Sequence, residues 1–553
     1  MATLEKNVDV ATSHRLGTLR LRHEHTNEIL LIPTPSDDPK DPLTWPKASR
    51  LYVAGLSSFA IFLCTFGTAG PAIAIPEMAI TFFGPPGPTF LHSIAKTAYF
   101  FTVPALMMGI SNLLWVPLMI KYGRRFVYVV SFALYTAMVA WSAAAHSYGP
   151  MLAARTLSGF MAGAGEVLGP LTIADLFFVH ERGTMMIIYT CTLSIGSSLG
   201  NVVAGLIMIN KSWRIMMWLC TALIGATTVL MFFTLPETYY VRSADPVAAA
   251  MAVLDDEKAF ESHKENASIK NGDSEKAQLE SGGSEPATPT LGKSPSIIEI
   301  IRSGLPRHAM TSESVFSLLV RPVLLIMLPS VLWSSLVMSV VIGFLVAISS
   351  NCATAFSDTY GLTSWQIGLC AGAGVIGSII GVFFGGHLSD MCADYLTRRN
   401  GGIREPEMRL PMLGISLVTA PLSLILYGVG IGKGLHWIVP TIGMGLLGFS
   451  VVQSSNITVV YMIDCYRPIA GEITVTQYAF KSLFGFLLSF YTNTWIDNSG
   501  YVAAFGEMAA IAGGVFLGVI PFYLYGKTLR RISWEWTIVR KTAHWDKDRE
   551  VGE

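Results

Sequence analysis

The sequence predicts an all-α membrane protein of twelve transmembrane helices, arranged as two pseudo-symmetric six-helix bundles. Three observations lead there. Of 553 residues, 52% are hydrophobic and only 14% charged, and a mean hydropathy of +0.50 leaves too little polar surface to cover soluble cores. Twelve segments are apolar over about 20 residues, the length a helix needs to cross ~30 Å of hydrocarbon. One long polar stretch splits them six and six, and each half carries a tight basic loop after its second span. The apolar runs lack the period-two alternation of barrel strands, which excludes a barrel.

Residues 1–50 mix charges and contain no apolar core of signal-peptide type, so they form a polar tail and the first span directs the chain into the membrane. The first bundle occupies 51–235. Its spans are 51–75, following the charged "PKASR"; 97–120, closed by "KYGRR"; 126–146, ending at "HSYGP"; 150–174; 184–208, begun after "HERG"; and 214–235, set between "NKS" and "LPET". Residues 236–320 form a linker rich in Glu, Lys, Ser, Gly and Pro and poor in aromatics, a composition that cannot bury a core and is expected to be largely disordered. Thr288-Pro289 and Ser294-Pro295 in it are candidate phosphorylation sites. The second bundle, 321–526, holds spans at 322–348, 363–386, 411–430, 436–460, 472–495 and 502–525, and a charged tail, 527–553, follows.

Basic residues gather in one set of alternate loops: Lys121, Arg124 and Arg125; Arg182; Arg398, Arg399, Arg404 and Arg409; Arg467; and Lys527, Arg530 and Arg531 after the last span. The other set holds only Lys96, Lys211 and Lys433. The positive-inside rule therefore places both termini and the linker in the cytoplasm. The plasma membrane is the expected host, with the vacuolar membrane as the alternative. None of the sequons at Asn210, Asn266 and Asn456 is expected to be glycosylated, lying respectively in a very short loop, in the linker and inside a span.

Seven single cysteines without CxxC or His/Cys spacing read as packing residues, not a metal site. A net charge of zero gives no reason to expect a nucleic-acid partner. No GxxxxGK[ST] loop and no Ser/His/Asp or metal cluster is present, so neither direct ATP coupling, enzymatic activity nor a cofactor is expected.

The two basic loops read "VPLMIKYGRR" and "GGHLSDMCADYLTRRNGGIREPEMR". Gly123 permits the close turn in the first. Together with "DPKDPLTWPKASR" before the first span and "LPETYYVR" after the sixth, they resemble the major facilitator superfamily, and within it the fungal drug:proton antiporters with twelve helices. The resemblance runs from residue 40 to about 530 and implies the major facilitator fold. The family's loop signature is glycine, three residues, aspartate, a basic residue, one residue, glycine and two basic residues. Lys121, Gly123, Arg124 and Arg125 match its end, whereas Val116 stands at the first glycine and Ile120 at the aspartate. The second copy keeps Gly386 and Asp390 and then diverges as far as Arg398 and Arg399.

In that family the aspartate and arginines lock neighbouring helix ends in one conformation and release them in the other. The resemblance thus assigns a conformational gate to Lys121, Gly123, Arg124, Arg125, Gly386, Asp390, Arg398 and Arg399. Asp175 or Glu181, in the next loop on that side, is expected to supply the carboxylate that Ile120 cannot.

Leu152, Arg155 and Gly159 on the fourth span match a second family signature, with Ser158 for its glutamine, and the resemblance links Arg155 to proton coupling. Arg155, Gly159, Gly163 and Glu166 follow one another along one helix face. Helical rise separates the two charges by about 16 Å, too far to pair. Glu166 is the deepest acid of the first half, and Lys481 sits near the middle of the eleventh span. An ionised side chain inside a membrane costs at least ~2.5 kcal/mol, so each needs a cavity or a partner. Either the two are structural, as an ion pair or as two separately hydrogen-bonded residues, or, the favoured reading, Glu166 binds a cation or exchanges a proton while Lys481 tunes it or closes the pathway.

On the fifth span "GSSLGNVVAG" resembles the family's antiporter signature, with Gly196, Gly200 and Gly205 in place but Asn201 at its proline and Ala204 at one glycine. With Gly159 and Gly163, these glycines are expected to let helices pack closely. Trp115, Trp333, Tyr461, Gln453, Asn456, Gln477 and Tyr478 are cavity candidates, since aromatic and amide side chains suit amphiphilic or cationic ligands. The family lines its pathway with spans 1, 4, 7 and 10, which favours Trp333, Gln453 and Asn456.

The expectation is a monomeric, proton-driven secondary transporter whose bundles rock about a midplane site. It would move an organic cation, drug-like compound or fungal secondary metabolite, with efflux of the multidrug-resistance type favoured. Uptake of polyamine-like cations, and a transporter-like sensor signalling through its termini and linker, are the alternatives.

Overall fold

The computed structural model describes residues 41–85, 90–240, 315–400, 403–466 and 469–536, with 19–20, 38 and 87. The linker's phosphorylation candidates, the Asn266 sequon and Arg467 lie outside the described residues.

Each apolar run forms a helix long enough to satisfy its own backbone across a bilayer. In chain order these are α1 (Lys47–Ala69), α2 (Phe90–Ile110 and Asn112–Tyr122), α3 (Arg124–Ala144), α4 (Tyr148–Leu176), α5 (Val179–Ile207), α6 (Trp213–Thr234) and α7 (Pro329–Tyr360). They are followed by α8 (Ser364–Arg399), α9 (Pro406–Gly432) and α10 (Ile438–Cys465). The last apolar stretch, Gly471–Trp534, is 64 residues long, about 96 Å as one helix and three times a bilayer. Gly500, at φ +75°, turns it back. The Trp495 indole, twelve positions away in sequence, consequently donates to the Glu507 carboxylate at 2.7 Å. The stretch is therefore two spans, α11 (470–499) and α12 (501–534), and the chain has twelve.

Several expected boundaries are corrected: the second span begins at Phe90 and not 97, the twelfth runs to Trp534 and not 525, and two differences are larger. The seventh span, expected at 322–348, begins at Pro329 and runs to Tyr360. Pro322 belongs to a separate short helix, Val315–Leu325, Pro329 suits a first helical turn, and the polar end of α7 is sheltered in the bundle, with Ser350, Asn351 and Phe356 buried. The eighth span does not stop at 386 but continues as a polar helix to Arg399, interrupted by a π turn at Phe383–His387.

Each half has its own core, one around Phe66, Phe132 and Tyr189, the other around Phe344, Tyr427 and Phe505. The halves meet where α2 faces α11 and α5 faces α8: Tyr99 stacks on Phe490 at 6.2 Å, and a methyl group on Gly205 would come within 3.2 Å of Gly368. At the face carrying the basic loops, Val459, Val460, Ile463 and Val475 of the second half join the core of the first. At the opposite face Ile73 of the first half joins the core of the second. Apolar contacts thus join the bundles on both sides of the space between them.

Candidate functional site

Between those contacts lies a cavity of about 100 Å³. Its walls are mainly apolar, from Phe101 and Met108 on α2, Ile342 and Val346 on α7, Val451 on α10 and Phe486 on α11, with hydroxyls from Thr65, Thr68, Ser194, Ser197 and Ser482. Two charges face it, Glu166 of α4 and Lys481 of α11.

They form an ion pair between the Lys481 ammonium and Glu166 Oε1. The other carboxylate oxygen accepts from Asn112 Nδ2 of α2 at 3.2 Å. Lys481 Nζ also lies 4.5 Å from the centre of the Tyr478 ring. Both members are at least 95% buried. Among the described residues this is the one ion pair that joins the two halves.

Arg155 stands apart from this pair. Its Nε donates to Phe100 O at 2.9 Å, and its Nη atoms donate to Gly67 O and Thr68 O at 3.0 Å each. The sequence explains those carbonyls. Residues four beyond Phe100 and Gly67 are Pro104 and Pro71, which have no N–H to close the helical bond. Thr68 precedes the 3-10 turn Gly70–Ala72 that ends α1. The guanidinium therefore replaces main-chain donors that two prolines remove.

At the first basic loop, Gly123 adopts φ +88° and a methyl group there would strike the Glu237 carboxylate. That carboxylate, just beyond α6, accepts the N–H groups of Arg124 (2.8 Å) and Arg125 (3.1 Å) at the start of α3, and those of Thr238 and Tyr239. An anion at a helix N-terminus satisfies donors with no intrahelical partner. Burial pushes the Glu237 carboxyl above the usual carboxylate range, opposed by these amides and by Arg124. The Arg124 guanidinium pairs with Asp175 at 3.1 Å and lies over the Tyr239 ring. Arg125 donates to Phe232 O. Of the two carboxylates expected near the loop, Asp175 reaches it, whereas Glu181 pairs with Arg50 at 3.5 Å. Lys121 makes no ion pair among the described residues.

In the second loop, Asp390 pairs with Arg409 at 2.5 Å and with Arg404 at 3.7 Å. The expected partners Arg398 and Arg399 are exposed, with Arg399 over its own neighbour Tyr395. The reason is helical: α8 continues, so these positions lie about 12 Å beyond Asp390 along its axis, and it is the returning segment "IREPEMR" that comes back to the acid. Asp390 also crosses to the other half, where a methyl group on Gly183 of α5 would lie 3.3 Å from its oxygen. Gly386 lies against Ile187 of α5.

The aromatic and amide candidates stand outside this cavity. Trp333 stacks on Phe522 at 4.6 Å and donates to Val515 O, with Tyr461 at its edge. Gln453 joins Ser416 to Met412 O, and Asn456 donates to Gly385 O in the π turn of α8. Gln477 approaches Ser334 O at 3.5 Å, and Trp115 donates to Phe160 O. Only Tyr478 touches the charged pair. Among the glycines, Gly159 and Gly163 lie against the main chain of α2, Gly196 and Gly200 against that of α1, and Gly205 against α8.

Sequence reasoning missed Asn112, Glu237 and Arg409. An amide inside an apolar run was the available sign of Asn112, and an acid directly after a helix that returns to a glycine turn was that of Glu237.

A sequence profile of the Major Facilitator Superfamily matches residues 57–464. MFS transporter cpaT of Aspergillus oryzae is 27% identical over 505 residues, covering 90% of this chain and 90% of the relative. Protein HOL1 of Saccharomyces cerevisiae is 24% identical over 545 residues, covering 92% and 91%. Among solved structures, the partially occluded inward-open form of the xylose transporter XylE from E. coli aligns with a TM-score of 0.57 at 14% identity, over 86% of this chain and 98% of that one.

Proposed function

The chain belongs to the Major Facilitator Superfamily, and from that premise we propose that this multi-pass membrane transporter is a monomeric, proton-coupled carrier of a small organic cation, drug-like or metabolic, working by alternating access in the direction of efflux. The observation that carries the reading is Glu166: it is the one carboxylate lining the cavity, and the charge that neutralises it comes from the other bundle. A site joined across the halves by a single ion pair is coupled to their separation, because parting the bundles must either break the pair or exchange one partner.

The size of the cavity supports alternating access. Sites for drug-sized ligands occupy roughly 300–1,000 Å³, whereas this one holds about 100 Å³, so the bundles must open to admit such a ligand. A single carboxylate also favours a monocation over a polyamine, whose further ammonium groups would remain unpaired in an apolar wall. The basic face is assigned to the cytoplasm, and the host membrane to the plasma membrane.

The test is counterflow of radiolabelled tetraethylammonium in proteoliposomes with an imposed pH gradient. Saturable, gradient-driven flux that Glu166→Gln abolishes is the expected result. Absence of saturable flux with any monocation would favour a sensor and overturn the reading, as would full proton-driven flux in Glu166→Gln.

A further inference from the structure

The neutrality of the cavity constrains how a cation can enter it, and this inference rests on the function proposed above. In the closed protein Glu166 and Lys481 cancel. A substrate monocation arriving at Glu166 displaces the ammonium and leaves two positive charges against one negative in a largely apolar space, unless one positive charge departs.

We propose that Lys481 is the carrier of the exchanged proton: when a small organic monocation takes its place at Glu166, the lysine surrenders a proton to water and remains as a neutral amine, giving one-for-one electroneutral exchange. The balance is Glu166–COO⁻ with Lys481–NH₃⁺, plus the cation, going to Glu166–COO⁻ with the cation, plus Lys481–NH₂ and H⁺. No covalent bond beyond N–H is broken.

Two observations favour the lysine over the acid. The fixed donor on Glu166, Asn112 Nδ2 at 3.2 Å, stabilises the carboxylate and stays when the ammonium leaves. Lys481, by contrast, has no second carboxylate among the lining residues. An ammonium stripped of its counter-ion in apolar surroundings is the form that burial disfavours. The Tyr478 ring beneath Nζ favours the ammonium, so the exchange requires the side chain to leave that ring as well as Glu166. The titratable groups around the pair are few. Tyr189 of α5 donates its hydroxyl to Glu166 O, Cys64 of α1 is buried near Glu166, and Tyr478 lies on α11 itself. The walls from α2, α7 and α10 contribute no titratable side chain.

The experiment measures tetraethylammonium binding to the purified full-length protein in weakly buffered detergent solution, with proton release recorded by a pH indicator. Wild type should release close to one proton per cation bound, and its apparent Kd should fall about tenfold for each unit rise in pH. Lys481→Arg, which keeps the positive charge beside Glu166 and cannot shed its proton, should fold and yet bind at least tenfold more weakly, without release and without a slope. Cation binding with release intact in Lys481→Arg would overturn the assignment of the proton but leave the cation reading standing. Failure of wild type to bind tetraethylammonium, together with proton uptake on adding benzoate, would overturn both, because the freed lysine would then be an anion site.

Discussion

The replacement of Arg155 offers the sharpest test of how the first bundle is braced. Its three hydrogen bonds end on main-chain carbonyls at Phe100, Gly67 and Thr68, in a residue only 1% exposed. Each buried carbonyl left without a donor costs about 1–3 kcal/mol, so Arg155→Met should destabilise by roughly 3–9 kcal/mol. Two of the three carbonyls lost their helical donors to Pro71 and Pro104. In a Pro71→Ala, Pro104→Ala background the new N–H groups satisfy Gly67 O and Phe100 O, and the same Arg155→Met substitution should cost at least about 2 kcal/mol less. SDS-induced unfolding in mixed micelles, followed by tryptophan fluorescence, completes the double-mutant cycle. Additivity within about 0.5 kcal/mol would refute the brace. A transport assay on the triple variant separates the brace from a direct role in proton coupling: a brace predicts recovered gradient-driven flux, whereas a proton-coupling arginine predicts none.

Two further outcomes follow from the loops. Glu237→Ala removes the acceptor shared by four backbone N–H groups and should destabilise by about 2–4 kcal/mol, Glu237→Gln by less, and Asp175→Asn by less than Glu237→Ala, because its amide oxygen can still accept from the buried Arg124 guanidinium. Thermal unfolding should therefore place Glu237→Ala lowest, and an Asp175→Asn loss equal to it would contradict the argument. At the opposite face, Glu77 on the short helix Ile75–Phe83 has its carboxyl raised by burial, partly offset by the Ser364 hydroxyl. A raised carboxyl binds its proton more tightly when folded, so the wild type loses stability as pH climbs from about 4.3 through the folded value. Glu77→Gln should melt higher than wild type at pH 7 and alike near pH 4, and a lower melting temperature at pH 7 would reverse the argument.

Much of the architecture was legible because a bilayer demands it: apolar runs of one length and a polar break between two sets of six. The errors lie where protein, not lipid, surrounds the helix. The end of α7 carries Ser349, Ser350 and Asn351, where apolarity lapses, yet Ser350 and Asn351 are hidden inside the bundle, and only the last turn, with Asp358, is exposed. The same blindness affects the site. Glu166 and Lys481 stood out because ionised residues are rare at membrane depth, but they are 315 residues apart in sequence and their contact depends on the docking of the two bundles. Trp333, Gln453 and Asn456 have the right chemistry for a cavity, and helix rotation, invisible in the sequence, turns them toward Phe522, Ser416 and Gly385 instead.

Ile120 gives the halves different work at the basic face. Where the second bundle has Asp390 reaching across to Gly183 of α5, the first has an apolar side chain packed against its own core. Its charged groups turn inward, Arg124 to Asp175 and the α3 N-terminus to Glu237. Contact between the bundles at that face therefore rests on the approach of Asp390 to Gly183 and on the apolar cluster of Val459, Val460, Ile463 and Val475. Opening that face admits water, so the cluster resists separation in proportion to the apolar area exposed, but apolar contact is undirected and selects no ligand. The charged pair between the bundles lies deeper, at Glu166 and Lys481. If the seal is undirected and the pair is specific, the choice of what opens the bundles belongs to whatever competes for Glu166, and the loops set only the rigidity of the two bodies that move.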